Sequence, residues 1–176
     1  MDLTEKTVRK HYIYRGKIVN FRVDDALLPD GKPCIRELVE HPGGASVLYV
    51  RGGKVLLVRQ FRYAYGEETL EIPAGKLNPG EDPAVTAARE LEEETGWVPE
   101  RVEHLFTLYP TPGYTNEKIY IYRAHGVRAG AAHPDEDEFV SAAFYPVEEV
   151  LDMIGRGQIR DAKTIVAVLS LLREEG

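Results

Sequence analysis

The pattern of apolar and polar positions changes character near residue 43. Before it, residues 8–15 and 17–28 read as extended segments broken at Gly16, with apolar side chains alternating imperfectly with polar ones. Pro29-Asp30-Gly31-Lys32 has the composition of a turn, and residues 33–41 return as a further strand. Pro42-Gly43-Gly44 then punctuates the chain, separating a small antiparallel β region, residues 1–43, from residues 44–176. Two or three strands alone are marginally stable, so this region is expected to pack on the main domain or on a second subunit.

Residues 46–51 and 54–62 predict a hairpin across Gly52-Gly53. Val55-Leu56-Leu57-Val58 is continuously apolar, which predicts a central strand covered on both faces. A short strand over 69–73 leads into a Gly/Pro loop at Gly75. Strands follow at 102–109, 118–122 and 139–145, and helices at 147–154 and 163–172. The last helix carries Ile165, Val166, Val168, Leu169 and Leu172 as an apolar stripe. Helices and strands interleave without strict βαβ alternation, which predicts an α/β class other than a doubly wound sheet.

The remaining helix is bounded by its own chemistry. Asp82 suits an N-cap, Pro83 a first helical position and Gly96 a left-handed C-terminal cap, so the helix spans 83–95. Ala84, Ala87, Ala88, Leu91 and Thr95 form a narrow stripe predicted to face a core. Glu90, Glu93 and Glu94 share the flank beside it, while Glu92 points to solvent. Such a flank reads either as a solvated charged face or as an oxygen-donor cluster for a hard cation such as Mg²⁺.

Composition narrows the choices. With 176 residues, 43% hydrophobic and 29% charged, the chain suits one domain with a small appendage. No apolar run approaches a membrane span, and residues 1–12 lack the apolar segment of a secretory signal. The single cysteine, Cys34, excludes an internal disulfide, and a reducing cytoplasm is the expected location. The 22 basic and 29 acidic residues give a net charge of −7, which argues against a nucleic-acid partner. An acidic chain handling phosphates needs bound cations to invert the local field.

Residues 75–97 can be written as Gly75, five residues, Glu81, seven residues, Arg89-Glu90-Leu91, one residue, Glu93-Glu94, one residue and Gly96. This resembles the box of the Nudix hydrolases at every charged and glycine position. Trp97, where the family has a smaller aliphatic residue, is the departure, and it bears on packing. The resemblance implies an α/β/α sandwich with a mixed β-sheet, in which the box forms a loop–helix–loop. Leu70-Glu71-Ile72-Pro73-Ala74-Gly75 and Val58-Arg59-Gln60-Phe61-Arg62-Tyr63 resemble the ADP-ribose pyrophosphatase branch. In that branch N-terminal strands help form a homodimer that completes the substrate site.

The resemblance implies metal-dependent hydrolysis of the diphosphate bond of ADP-ribose, or a related nucleoside diphosphate sugar, to AMP and ribose 5-phosphate. A pyrophosphatase for another sugar nucleotide such as GDP-mannose, or a non-catalytic nucleotide-sensing module, are the alternatives. The implied metal shell for two or more Mg²⁺ or Mn²⁺ ions is the Ala74 carbonyl, Glu90, Glu93, Glu94 and Glu138, with Glu93 ligating directly or through water. Glu138 matches the carboxylate that binds metal or activates water, with Glu136 the competing candidate; Glu138 is favoured because it adjoins the strand expected from 139. Arg89 and Glu81 are expected to brace the loop. Arg62 matches an arginine that contacts the diphosphate, for which a guanidinium fork is suited. Pro112, sixteen residues beyond Gly96, matches a proline associated with ADP-ribose specificity, and Gly113 beside it is a further substrate-binding candidate. Arg36 is a candidate for stacking on the base, beside Tyr12, Tyr14 and Phe21, and Glu37 for reading its edge.

Overall fold

The imperfect alternation at the start of the chain has a structural cause. In the computed structural model, which describes residues 1–134 and 138–173, β1 (Lys6–Arg15) and β2 (Asn20–Leu27) pair antiparallel with two register shifts, at Thr7/Arg9 and Tyr12/Tyr14. Each shift moves the following side chains to the opposite face. β3 (Pro33–Glu40) completes an antiparallel sheet in the order β1-β2-β3. Gly16 makes the first turn, where an added Cβ would lie 2.5 Å from Tyr14 Cε1 and 2.8 Å from the Val19 carbonyl. One face of β2 buries Arg22, Asp24 and Ala26, so the covered face is partly ionic, with Arg22 bonded to Glu40 at 2.6 Å. Val8, Ile13, Tyr14 and Ile35 are exposed.

This sheet belongs to the first of two compact units, which comprises Met1–Gly43 and Tyr109–Lys118. The loop 109–118 therefore lies outside the main domain expected from residue 44, and it is tied to β3. Val39 N–H donates to the Tyr114 carbonyl (2.8 Å), Asn116 N–H to the Val39 carbonyl (3.3 Å) and His41 N–H to Asn116 Oδ1 (2.9 Å).

The second unit, Gly44–Leu108 with Ile119–Gly176, is an α/β/α arrangement. In chain order its elements are β4 (Gly44–Leu48), β5 (Val50–Arg51), β6 (Lys54–Arg62), β7 (Glu67–Glu71), β8 (Ala74–Lys76) and α1 (Pro83–Thr95). There follow β9 (Trp97–Val98), β10 (Arg101–Leu108), β11 (Ile119–His125), β12 (Arg128–Ala129), β13 (Ser141–Pro146), α2 (Val147–Gly155) and α3 (Ala162–Ser170). A 3-10 turn, Leu171–Arg173, ends the described chain. One sheet runs β10-β11-β4-β8, mixed because β11 and β4 are parallel. A second runs β13-β6-β5, with β7 also paired to β6, and β12 pairs with β9 as a two-stranded ribbon.

Val55, Leu56, Leu57 and Val58 are all essentially inaccessible. Val55 and Leu57 enter a core with Leu48, Ile72, Ile121, Val150 and Val168, on the side of α2 and α3. Leu56 enters a second core with Ala45, Val47, Tyr49, Ala87 and Leu91, on the side of α1. Strand periodicity thus divides one apolar run between two helix layers.

The structure departs from the expected elements in several places. The strand expected over 46–51 is two, because the chain leaves one sheet after Leu48 and joins the other at Val50. The strand expected over 69–73 ends at Glu71, and the unforeseen β8 begins after a second change of sheet. The strand expected from 139 starts at Ser141, leaving Phe139 exposed. In α3 the buried face is Lys163, Thr164, Ala167 and Val168, continued by Leu171 in the turn, so Leu169 and Leu172 lie outward. The stripe is rotated because Lys163 and Thr164 have buried partners on the sheet.

Candidate active site

The site is organised by α1, whose ends are specified locally. Asp82 Oδ1 accepts the Ala84 N–H at 2.8 Å, Pro83 opens the helix, and Gly96 at φ 74° closes it with its N–H on the Glu92 carbonyl. Gly96 is needed twice over, since a Cβ there would also lie 2.8 Å from the Ala132 nitrogen. Segment 130–133 is fastened to this helix end, with Gly130 N–H on the Gly96 carbonyl (2.6 Å) and His133 N–H on the Glu93 carbonyl (2.9 Å). It caps carbonyls that the helix leaves open.

The buried face of α1 is Thr86, Ala87, Glu90, Leu91 and Glu94. Glu90 and Glu94 therefore lie within the buried face rather than on its flank, and Ala84, Ala88 and Thr95 are only partly covered. Both carboxylates are 5% exposed. Burial pushes Glu90 up to about 7, with the neighbouring Glu93 and Glu138 adding to the shift against Arg89. Burial pushes Glu94 up to about 8, with Glu90 and then Glu138 adding to it. Gly75 makes the space, because a Cβ there would fall on the Glu90 carboxylate. The Ala74 N–H donates to Glu94 Oε2 at 3.2 Å.

Arg89 ties the acids together. Its Nε lies 3.2 Å from Glu81 Oε1, and its Nη1 lies 2.8 Å from Glu90 Oε1 and 2.6 Å from Glu93 Oε2. Glu81 in turn accepts the Asn78 N–H at 3.1 Å, closing the loop before the helix. Glu92 stands apart, half exposed, with His133 Nε2 at 3.8 Å.

A second ion network, absent from the expected site, is built on Glu71. Glu71 is buried, yet its carboxyl is held down at about 2, because Arg62, Lys163 and Thr69 together outweigh its burial. Arg62 meets it as a fork, Nε to Oε1 at 2.6 Å and Nη2 to Oε2 at 2.5 Å. Thr69 Oγ1 donates at 2.6 Å, and the buried Lys163 Nζ donates to Oε2 and lies 2.9 Å from Asp161 Oδ1. Arg62, expected at the diphosphate, thus uses two of a guanidinium's five N–H groups on Glu71. A lysine in line with the apolar positions Ala167 and Leu171 of the closing helix was the signal that a buried anion must face it.

Glu138 is exposed, but its charge acts on both Glu90 and Glu94. Glu136 lies outside the described residues. Among the described residues no group of three or more His, Cys, Asp or Glu side chains stands in a ligating arrangement. Glu93 is bonded to Arg89. Arg36, Glu37, Pro112 and Gly113 are all exposed and belong to the first unit, where Arg36 is paired with Glu5.

Two buried carboxylates, each pushed toward its protonated form by burial, offer only oxygen donors, the donor type that suits a hard divalent cation. The α/β/α domain carries this pair on a helix capped at both ends. The chain belongs to the NUDIX domain family, whose family model matches residues 40–168. It is 42% identical over 174 residues to the methanol dehydrogenase activator of Bacillus methanolicus, covering 97% of this chain and 94% of that protein. It is 40% identical over 177 residues to the ADP-ribose pyrophosphatase of Bacillus subtilis (strain 168), covering 99% and 96%. A solved structure described as an ADP compounds hydrolase shares the fold, with a TM-score of 0.84 at 20% identity over 99% of this chain and 95% of that one.

Proposed function

We propose that this protein is a diphosphate hydrolase that cleaves ADP-ribose, or a closely related nucleoside diphosphate sugar, to AMP and ribose 5-phosphate. The observation that carries the reading is the buried Glu90/Glu94 pair, set against the Gly75 backbone and braced by Arg89. A non-catalytic module has no use for two buried, mutually repelling carboxylates. The near full-length similarity to an ADP-ribose pyrophosphatase supports the choice of substrate class.

Glu90, Glu94 and the Ala74 carbonyl would hold Mg²⁺ or Mn²⁺, two or more ions with Glu93 and Glu138. The bound ions supply neutralisation of the diphosphate and activation of water. Arg89 holds Glu90 and Glu93 together and oriented, so the repulsion within α1 does not disperse them. Arg62, held by Glu71, offers its remaining N–H groups to phosphate oxygens in a pre-set plane. Glu138, or Glu136, accepts the proton of the attacking water. Arg36, Glu37, Pro112 and Gly113 are assigned to contacts with the base and sugar. The exposed apolar side chains Val8, Ile13, Tyr14 and Ile35 support a homodimer through the N-terminal strands. The single Cys34 suits a reducing cytoplasm.

A panel assay tests the reading. AMP release from ADP-ribose in Mg²⁺ should exceed GMP release from GDP-mannose, and excess chelator should abolish both. Turnover that persists in chelator would overturn the mechanism, and preference for GDP-mannose would overturn the substrate. The resemblance to a methanol dehydrogenase activator carries a second reading, action on a dehydrogenase, which the same preparation added to a dehydrogenase assay tests.

A further inference from the structure

The chain changes sheets immediately before the site. β7 ends at Glu71, in register with Val58 of β6, and β8 begins at Ala74, in register with Ser46 of β4. Ile72 and Pro73 lie between the two ladders. Pro73 has no N–H to satisfy, and its carbonyl accepts the Val47 N–H at 2.9 Å. Ile72 is fully buried and keeps an N–H that neither ladder takes. Left unpaired, such a group is costly, so its partner matters.

That partner is Thr164, a fully buried residue 92 positions further along the chain. Thr164 Oγ1 accepts the Ile72 N–H at 2.9 Å and donates its own proton to Asp161 Oδ2 at 2.6 Å. The same Asp161 oxygen accepts the Thr164 N–H at 3.0 Å as the N-cap of α3, so the hydroxyl has one orientation. Its neighbour Lys163 holds the Glu71 carboxylate. Two consecutive residues of α3 therefore grip the last residue of β7 and the first of the crossing. Two residues on, the Ala74 N–H meets Glu94.

We propose that Thr164 is a positioning residue for the hydrolytic site: its hydroxyl, oriented by Asp161, fixes the crossing at Ile72 and thereby sets the Ala74 main chain against Glu94. The role in catalysis rests on the hydrolytic reading above, whereas the clamp on the backbone stands apart from it.

Thr164→Val keeps the shape and removes the hydroxyl, and Thr164→Ser keeps the hydroxyl and removes a methyl. In the full-length protein, amide exchange at Ile72 and Ala74 should quicken about tenfold or more in the Val variant, relative to β11 amides, and return near wild type in the Ser variant. With ADP-ribose and Mg²⁺, kcat should fall about tenfold or more in the Val variant with KM within about threefold, again restored by Ser. A loss in Ser equal to or greater than that in Val would mean packing and overturn the proposal. So would faster exchange confined to Ile72, with Ala74 and kcat unchanged. If wild type cleaves no diphosphate, the hydrolytic reading fails, and exchange at Ala74 still decides the clamp. Should the Val protein not fold, Thr164→Ala against Thr164→Ser isolates the same hydroxyl.

Discussion

Gly75→Ala is the perturbation that best separates the site from the scaffold. Gly75 has no positive φ, so alanine adopts its backbone without strain, and the unfolded chain loses freedom worth about 0.4–1 kcal/mol in favour of folding. Against this, the new Cβ would occupy the Glu90 carboxylate's position and lie 2.5 Å from its Oε2. The obstructed group is the far end of a flexible side chain, so the backbone need not move; Glu90 swings away and gives up its 2.8 Å contact with Arg89. A partly exposed ion pair of this kind contributes about 1 kcal/mol or less. The two effects nearly cancel, and Tm should stay within about 2–4 °C of wild type.

Activity has no such compensation. Glu90 is a candidate metal ligand whose position Gly75 alone permits, and displacing a ligand or its support costs about 10- to 100-fold. We expect kcat/KM for ADP-ribose to fall about 100-fold, which is about 2.7 kcal/mol of transition-state stabilisation. Thermal melts without metal and initial rates of AMP release with Mg²⁺ read the two effects separately. An alanine protein as active as wild type would refute the reasoning, since it would mean Glu90 need not be where it is. So would a protein that is inactive only because it has unfolded.

Four further outcomes can be checked. Glu94→Gln should lower kcat by orders of magnitude with a smaller effect on KM, while Glu92→Gln, half exposed beside His133, should change either by less than about threefold; equal damage would mean the helical register is wrong. Glu90 and Glu94 are raised above the unfolded value, so they favour folding below about pH 4.5 and lose that contribution as pH rises through about 7 and 8. Metal-free Tm should therefore fall between pH 5 and 8 and recover most with Mg²⁺ at pH 8, and a flat profile in calorimetry would contradict it. Glu71, held down at about 2, contributes above the unfolded value and loses this as pH falls through 2, so Glu71→Gln should weaken that acid limb. Sedimentation should find a dimer near twice the 19.8 kDa chain mass; a fully active monomer would remove the role assigned to the N-terminal strands.

The limits of α1 were legible in the sequence because caps are short-range: Asp82, Pro83 and Gly96 act on groups within one turn of themselves. The same holds for the Arg89–Glu93 pair, which i,i+4 spacing on the helix fixes. The apolar run 55–58 likewise announced a strand covered on both faces, because it is short, carries valine at each end and follows the Gly52-Gly53 turn. The tertiary structure decided what depends on residues far apart in the chain. Whether Glu90 and Glu94 lie on the flank of the helix or within its buried face turns on how closely β4 and the glycine backbone approach. The changes of sheet at Tyr49 and at Ile72-Pro73 leave no periodic signature, because the chain stays extended while its hydrogen-bond partners change. Strands of two or three residues such as β8 and β9 are too short to carry a period at all. Glu71 and Lys163 read separately as two ordinary charges. Only the packing of α3 on the sheet makes them a buried pair, and a charge survives burial there because its partner arrives from 92 residues away.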